Sequence, residues 1–214
     1  MALSISRFNA SHEAVAARYD DVDHLYGEIR EHRLLGFVLF LISDVVLFSS
    51  FIFAYLYLRN STGADGWPPV NYNHVRLPRF DVAFATINSV VLFGSGATMH
   101  QALESWKRLE RSAFNLWLIA TIALGCAFLG GQAFEYSHVA ITWTGSTMGA
   151  SFFTLTALHG FHVFGGVIYL IVLGIQANNG VYTGSKYFGL TAGTLYWHFV
   201  DVIWVALFYL FYLM

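Results

Sequence analysis

The chain has 214 residues, of which 57% are hydrophobic and only 11% are charged, and its formal net charge is −2. Since an average soluble domain is about a quarter charged, this composition excludes an ordinary soluble domain and indicates a protein that contacts lipid. No phosphate-binding loop, GxGxxG, CxxC or CxxCH motif is present. Nucleotide chemistry and covalently attached c-type haem are therefore unsupported, and we expect no nucleic-acid partner.

Residues 1–33 form the first segment, which holds four arginines and six acidic residues without a central apolar stretch. A secretory signal peptide needs such a stretch. The segment is therefore predicted to be a polar cytoplasmic arm that lies on the surface and is not a cleaved signal.

Five long apolar blocks follow, and all 11 lysines and arginines lie outside them. Each block exceeds the roughly 20 residues that a helix needs to cross a hydrocarbon core of about 30 Å. Because backbone groups in lipid must be paired within the segment, the sequence predicts an all-α integral membrane protein, a five-helix bundle over 34–214. The predicted spans are 34–58, 82–103, 113–134, 148–176 and 187–214.

The distribution of basic residues predicts the orientation of the bundle. Eight of them lie in the N-terminal arm and in the second and fourth loops, whereas three lie in the first loop: Arg59, Arg76 and Arg79. Basic residues accumulate in cytoplasmic loops, so we expect the N-terminus to be cytoplasmic and the C-terminus to be outside.

Two carboxylates, Asp44 and Asp201, lie well inside the apolar blocks, and Glu135 lies near the outer end of the third. A charged side chain at the bilayer centre costs roughly 2.5–3.5 kcal/mol on insertion scales. Such a residue therefore faces protein, water or a partner. Either a proton-relay role or a purely structural hydrogen-bonded role fits Asp44, and the sequence leaves both open.

Histidines occur in the fourth and fifth blocks. His159 and His162 are three residues apart and share a helix face, as do His198 and Asp201. Haem or metal ligation, with His198 as the partner of His159 or His162, is one interpretation. Neutral histidines that hydrogen-bond across helices are the other. For His198 and Asp201, flanked by Trp197, we expect a structural polar cluster.

Six segments in order resemble the cytochrome c oxidase subunit III family, the non-haem membrane subunit of the haem–copper oxidases. They are ordered along essentially the whole membrane region, from about residue 33 to 213, and HGFHV and YWHFVDVIW are the most specific stretches. The segments are RLLGFVLFLISDVVLF, GWPP, INSVVLFGSG, GQAFEYS, FFTLTALHGFHV and FGLTAGTLYWHFVDVIW.

The resemblance implies an accessory subunit of a proton-pumping terminal oxidase, in a short form without the first two spans of longer members. It implies that haem and copper belong to partner subunits I and II, that this chain has no catalytic or metal-binding residue, and that phospholipid is bound. The chain is expected to support proton uptake and stability of subunit I. Asp44 matches a buried carbodiimide-reactive carboxylate that is Glu in mitochondrial-type members. Further family motif positions are matched by Glu135, His159, His162, His198 and Asp201.

Asp at position 44 is common in the quinol-oxidase branch, whereas GWPP and AGTLYWHF favour the cytochrome c branch, which we prefer. A di-histidine b-type cytochrome is a third interpretation. Arg33, Arg59, Arg76 and Arg79 are candidate lipid head-group contacts or simply solvated side chains. The short form favours a bacterial plasma membrane, and a thylakoid membrane remains an alternative.

Overall fold

The computed structural model describes the backbone of residues 2–61, 81–139, 141, 143–144, 146–182 and 187–214, with side chains described from residue 32 onward. It divides into two compact units, Met1–Ser43 and Asp44–Met214. The features discussed below lie in the second unit unless the first is named.

The described elements are helices. They are α1 (Ala2–Ser61), α2 (Val82–Lys107), α3 (Arg111–His138), α4 (Thr147–Asn178) and α5 (Phe188–Phe208), and a π-helical segment, Tyr209–Leu213, extends α5. Within the described ranges, five segments are long and apolar enough to cross a membrane: His32–Ser61, Val82–Lys107, Arg111–His138, Thr147–Asn178 and Phe188–Leu213.

The predicted all-α class with five spans is thus confirmed, whereas the direction in which the helices cross the membrane stays a prediction. The backbone of the predicted N-terminal arm is helical from Ala2 onward.

Helices α2 to α5 pack as a four-helix bundle. Helix α2 contacts α3 and α5, and α4 contacts the same two helices on the other side. The large side chains that are fully buried include Trp197, Trp204, Phe128, Phe152, Leu92 and Met99. Part of α1 adds a fifth helix through side chains, since Tyr55 donates a hydrogen bond to the carbonyl of Leu210 at 3.3 Å.

Local capping residues set where α2 and α4 begin. The Asp81 carboxylate accepts hydrogen bonds from the backbone N–H groups of Ala83 and Phe84, and the Ser146 hydroxyl accepts one from Gly149. Such caps satisfy N–H groups that have no partner within the helix. They fix the ends of the helices that carry the buried polar residues.

Two glycines allow the bulky ring of Trp197 to fit into the bundle centre. A Cβ atom placed on Gly125 would lie 2.9 Å from the ring, and one on Gly166 would also lie 2.9 Å from it. By contrast, a Cβ atom on Gly165 would meet nothing within 4 Å. Close approach of α5 to α3 and α4 therefore depends on Gly125 and Gly166.

Gly166→Ala and Gly165→Ala form a matched pair of substitutions. We expect Gly166→Ala to destabilise the chain by about 1–3 kcal/mol, because the methyl group overpacks against Trp197. Gly165→Ala should be neutral, or stabilising by up to about 1 kcal/mol through helix propensity. Thermal unfolding of the purified chain in detergent measures both, and equal effects would contradict the packing described.

Candidate functional site

Two tryptophans of α5 donate hydrogen bonds to two serines of α2. Trp197 Nε1 lies 2.9 Å from Ser95 Oγ, and Trp204 Nε1 lies 2.8 Å from Ser89 Oγ. Each serine hydroxyl in turn donates to a backbone carbonyl of its own helix. Because all four side chains are buried, these two bonds hold α5 against α2 in a single register.

The sequence did not predict this pairing. Trp197 lies on the same face as Asp201, and we expected a local polar cluster, but the indole N–H donates to Ser95 across the helix interface instead. A contact between residues about a hundred positions apart leaves no local pattern in the sequence. The seven-residue spacing of Trp197 and Trp204, two turns of one helix face, is the only signal that could have suggested it.

Asp44 and His162 face each other near the middle of their spans. His162 Nε2 lies 3.7 Å from Asp44 Oδ1, and the two side chains are only 12% and 10% exposed. The imidazole also packs against the ring of Phe48, one helical turn beyond Asp44, with ring centroids 5.0 Å apart. A carboxyl from α1 and an imidazole from α4 therefore share one largely apolar interface.

The geometry restricts where protons sit in the Asp44–His162 pair. His162 Nδ1 lies 2.8 Å from the carbonyl of Leu158, and since a carbonyl only accepts, Nδ1 must carry a hydrogen. Two protonation states then fit this geometry. Either Nε2 also carries a hydrogen and the imidazolium faces a carboxylate, or Nε2 has a lone pair and faces a protonated carboxyl. At 3.7 Å the two atoms are in electrostatic contact but too far apart for a hydrogen bond. In both arrangements one proton on the pair keeps it neutral, whereas a bare carboxylate facing a lone pair would be unfavourable in a low-dielectric interface.

His198 and Asp201 form a second histidine–carboxyl pair, at the interface of α5 and α2. His198 Nδ1 lies 3.6 Å from Asp201 Oδ2, and the His198 side chain is 43% exposed. The carboxyl packs against the backbone of Gly96, where a Cβ atom would clash with it. The ring of His100, on α2, lies 6.5 Å from that of His198, measured between centroids.

Glu135 has partners that the sequence did not indicate. Tyr212 donates a hydrogen bond of 2.7 Å to its Oε1, and the Gln132 amide donates one of 3.1 Å to Oε2. Tyr212 lies 77 positions further along the chain, so only the fold brings the two together. Glu135 therefore joins the end of α3 to the π-helical segment after α5.

His159 is enclosed by aromatic rings. It is 1% exposed, stacks on Trp204 with ring centroids 5.0 Å apart, and meets Phe128 edge-on at 5.8 Å. Its two ring nitrogens have no hydrogen-bond partner among the described residues. Its pocket is filled by α3 and α5, and its neighbour on the same helix, His162, faces α1.

The predicted polar residues thus occupy separate places and do not form one cluster. His159 lies in the bundle interior, His162 faces α1, and His198 lies on α5 beside α2. In the part of the chain that the structure describes, no group of three or more His, Cys, Asp or Glu could hold a metal ion. The geometry offers no common site in which His198 and either of the other two histidines would bind one haem iron.

The candidate lipid-binding arginines have different surroundings. Arg59 donates a hydrogen bond of 2.8 Å to the carbonyl of Met214, so part of its guanidinium is committed to the end of the chain. Arg33, in the first unit, is exposed. Arg76 and Arg79 lie outside the described residues.

Comparison with known proteins identifies similar chains. The family model for cytochrome c oxidase subunit III matches residues 23–214. Cytochrome c oxidase subunit 3 of Synechocystis sp. is 34% identical over 220 residues, which cover 99% of this chain and 91% of the relative. The protein of the same name from Bacillus subtilis is 37% identical, with 86% and 87% covered. That of Schizophyllum commune is 37% identical, but only 67% of its greater length is covered.

A double-mutant cycle with Ser95→Ala and Trp197→Phe tests the link between α2 and α5. We expect a coupling of about 0.6 kcal/mol, with an upper bound of about 1.7 kcal/mol, as measured for hydrogen bonds between membrane helices. Unfolding in detergent and lipid micelles gives the free energy of unfolding of the unmodified chain, the two single variants and the double variant. Ser50→Ala, which removes a hydroxyl bonded only to its own helix, is the control partner and should show no coupling to Trp197→Phe. If the coupling between Ser95→Ala and Trp197→Phe is no larger than that of the control pair, the hydrogen bond between Trp197 and Ser95 is contradicted.

Proposed function

Because the chain belongs to the cytochrome c oxidase subunit III family, we propose that it is an accessory subunit of a proton-pumping terminal oxidase, in which it supports proton uptake and the stability of the catalytic subunit. Its electron donor is then cytochrome c, although this chain does not contact the donor. Its partners are the catalytic subunit I and subunit II, which hold the haem and copper that reduce oxygen. The membrane is a bacterial plasma membrane or a thylakoid membrane.

The Asp44–His162 pair is the observation that carries this proposal. A carboxyl group in the middle of a membrane span is expensive, and such groups mark proton or ion pathways when they are retained there. Asp44 is buried and faces a histidine, the side chain best suited to exchange protons near neutral pH. These two observations support a proton-carrying role for the pair, since a purely structural contact would need no ionisable group.

The chemistry of the pair follows from its single shared proton. When the two atoms, 3.7 Å apart in the structure, approach to hydrogen-bond distance, that proton can move between Asp44 Oδ1 and His162 Nε2 without any change in net charge. A second proton that arrives from the cytoplasmic side would make the pair cationic, and the low-dielectric surroundings would favour its rapid release. In this proposal the pair accepts a proton briefly and passes it toward the catalytic subunit.

Phospholipid is proposed as a second ligand. Helices α1 and α4 leave between them a cleft lined mainly by apolar side chains such as Phe51, Leu58 and Leu155. The apolar lining of this cleft suits an acyl chain. Arg59 directly follows the lining residue Leu58 near the end of α1, where its guanidinium can contact the phospholipid head group.

Purification of the tagged chain from its native membrane in mild detergent tests the assembly. We expect haem- and copper-containing oxidase subunits to co-purify in stoichiometric amounts. The chain separated from them should lack haem by optical spectroscopy and iron analysis. Stoichiometric haem in the isolated chain would contradict an accessory role and favour a b-type cytochrome.

Replacement of Asp44 in the assembled oxidase tests the role in proton uptake. Asp44→Asn keeps the size of the side chain but cannot carry the shared proton, so we expect normal haem content with slower proton uptake or earlier inactivation during turnover. Asp44→Glu retains a carboxyl group and should restore much of the activity. The rate of proton uptake and the turnover lifetime are measured with the purified complex in lipid vesicles.

Ser50→Ala, two helical turns from Asp44 and exposed on the same helix, is the control and should behave as the unmodified complex. If Asp44→Asn leaves proton uptake and turnover lifetime unchanged while the complex is intact, Asp44 has only a structural role.

A further inference from the structure

Asp44 Oδ2 is the atom of the Asp44–His162 pair that has no hydrogen-bond partner among the described residues. His162 Nε2 faces the other carboxyl oxygen, Oδ1. In both protonation states of the pair the shared proton lies on the side of Oδ1, so Oδ2 can only accept a hydrogen bond. A buried oxygen without a donor is costly, most of all when it carries charge. The pair therefore needs a hydrogen-bond donor for its second oxygen.

Tyr196, on α5, brings a hydroxyl group to this pair. It donates a hydrogen bond of 3.1 Å to the backbone carbonyl of His162, and Asp44 is close enough for the charge of its carboxylate to act on the hydroxyl. The tyrosine ring packs against Gly166, where a Cβ atom would lie 3.0 Å from it. Tyr196 thus has a ring that is held in place and a hydroxyl that contacts His162 within the field of Asp44.

The hydroxyl of Tyr196 can leave the carbonyl of His162 at little cost. Within α4, Thr147–Asn178, this carbonyl already accepts the backbone N–H of Gly166, four residues further on. The distance of 3.1 Å from the hydroxyl also exceeds the roughly 2.7–2.8 Å that is usual between a hydroxyl and its oxygen acceptor. Because a hydrogen bond to a carboxylate is about twice as strong as one to a neutral acceptor, a charged Asp44 competes for this donor.

We propose that Tyr196 is a positioning residue of the Asp44–His162 pair. When the shared proton is on His162, the Tyr196 hydroxyl donates to Asp44 Oδ2, directly or through one water molecule, and stabilises the carboxylate. When the proton is on Asp44, the hydroxyl donates to the carbonyl of His162. Tyr196 therefore sets how often the carboxylate is available to accept a proton. This inference rests on the proposed function, since it assigns a residue that regulates the same pair.

Tyr169 provides a matched comparison within the same two helices. Its hydroxyl donates a hydrogen bond of 3.3 Å to the backbone carbonyl of Gly189, so it also joins α4 to α5. Both tyrosines are half-buried, but Tyr169 lies two helical turns beyond His162. Loss of either hydroxyl removes one bond between the helices, whereas only loss of the Tyr196 hydroxyl should change the protonation of Asp44.

Infrared spectroscopy of the assembled oxidase in lipid vesicles at neutral pH tests the proposal. The signal of protonated Asp44 is the C=O stretch that Asp44→Asn abolishes in each variant. We expect this signal to be several-fold larger in Tyr196→Phe than in the unmodified complex, because the carboxylate has lost its donor. Proton uptake should be several-fold slower in the same variant. Tyr169→Phe should change neither the signal nor the rate of uptake.

Fluorotyrosine at position 196 provides a second measurement that keeps the hydroxyl group. Fluorine on the ring makes the phenol a stronger hydrogen-bond donor, which favours the ionised carboxyl group. The signal of protonated Asp44 should therefore become smaller, opposite to the effect of Tyr196→Phe. Fluorotyrosine at position 169 is the control and should leave the signal unchanged. A tyrosine that only holds the helices together would not produce two effects of opposite sign.

The outcomes separate this inference from the proposed function. A signal of protonated Asp44 that is the same in Tyr196→Phe and Tyr169→Phe would overturn the inference, while slower uptake in Asp44→Asn would leave the proposed function intact. Unchanged uptake in Asp44→Asn would overturn the proposed function, and with it the claim that Tyr196 regulates uptake. The infrared signal would then still decide whether the Tyr196 hydroxyl stabilises the Asp44 carboxylate.

Discussion

Polar groups inside the hydrocarbon layer must find partners within the protein or in another subunit, because no water competes for them and an unpaired group is costly. The bonds from Trp197 and Trp204 to Ser95 and Ser89 meet this requirement for two large indole rings. They also fix the register of α5 against α2. Since Asp201 is on α5 and its carboxyl packs against Gly96 of α2, the position of the His198–Asp201 pair depends on this register.

The Asp44–His162 and His198–Asp201 pairs differ in which ring nitrogen of the histidine faces the carboxyl group. In the Asp44–His162 pair, Nδ1 of the histidine donates to the carbonyl of Leu158, so Nε2 faces the carboxyl and every polar hydrogen of the ring stays within the bundle. In the His198–Asp201 pair, Nδ1 faces the carboxyl and the imidazole is 43% exposed. The first pair is enclosed between α1 and α4, whereas the second lies where α5 and α2 meet at the surface of the bundle.

Tyr196 connects the two regions through the backbone. Its hydroxyl donates to the carbonyl of His162 at 3.1 Å, while the next residue, Trp197, reaches Ser95 on α2. One turn of α5 therefore holds α4 on one side and α2 on the other. Gly166 permits this arrangement, because a Cβ atom there would lie within 3.0 Å of both aromatic rings.

Much of the fold could be predicted from the sequence, because apolar length alone identifies membrane spans: the five predicted blocks correspond to the five candidate spans. Residue types also singled out Asp44, Asp201 and the histidines, since ionisable groups are conspicuous in apolar segments. Their partners were not predictable. Whether Asp44 meets His162, or Glu135 meets Tyr212, depends on how helices far apart in sequence rotate against each other, and no local periodicity encodes that rotation.

Proton uptake by the assembled oxidase carrying Asp44→Asn, compared with Asp44→Glu, tests the central claim that the Asp44–His162 pair carries protons. The account predicts slower uptake in the Asp44→Asn complex and largely restored uptake in the Asp44→Glu complex, because only the second variant retains a carboxyl group beside His162. Unchanged uptake in an intact Asp44→Asn complex would contradict it.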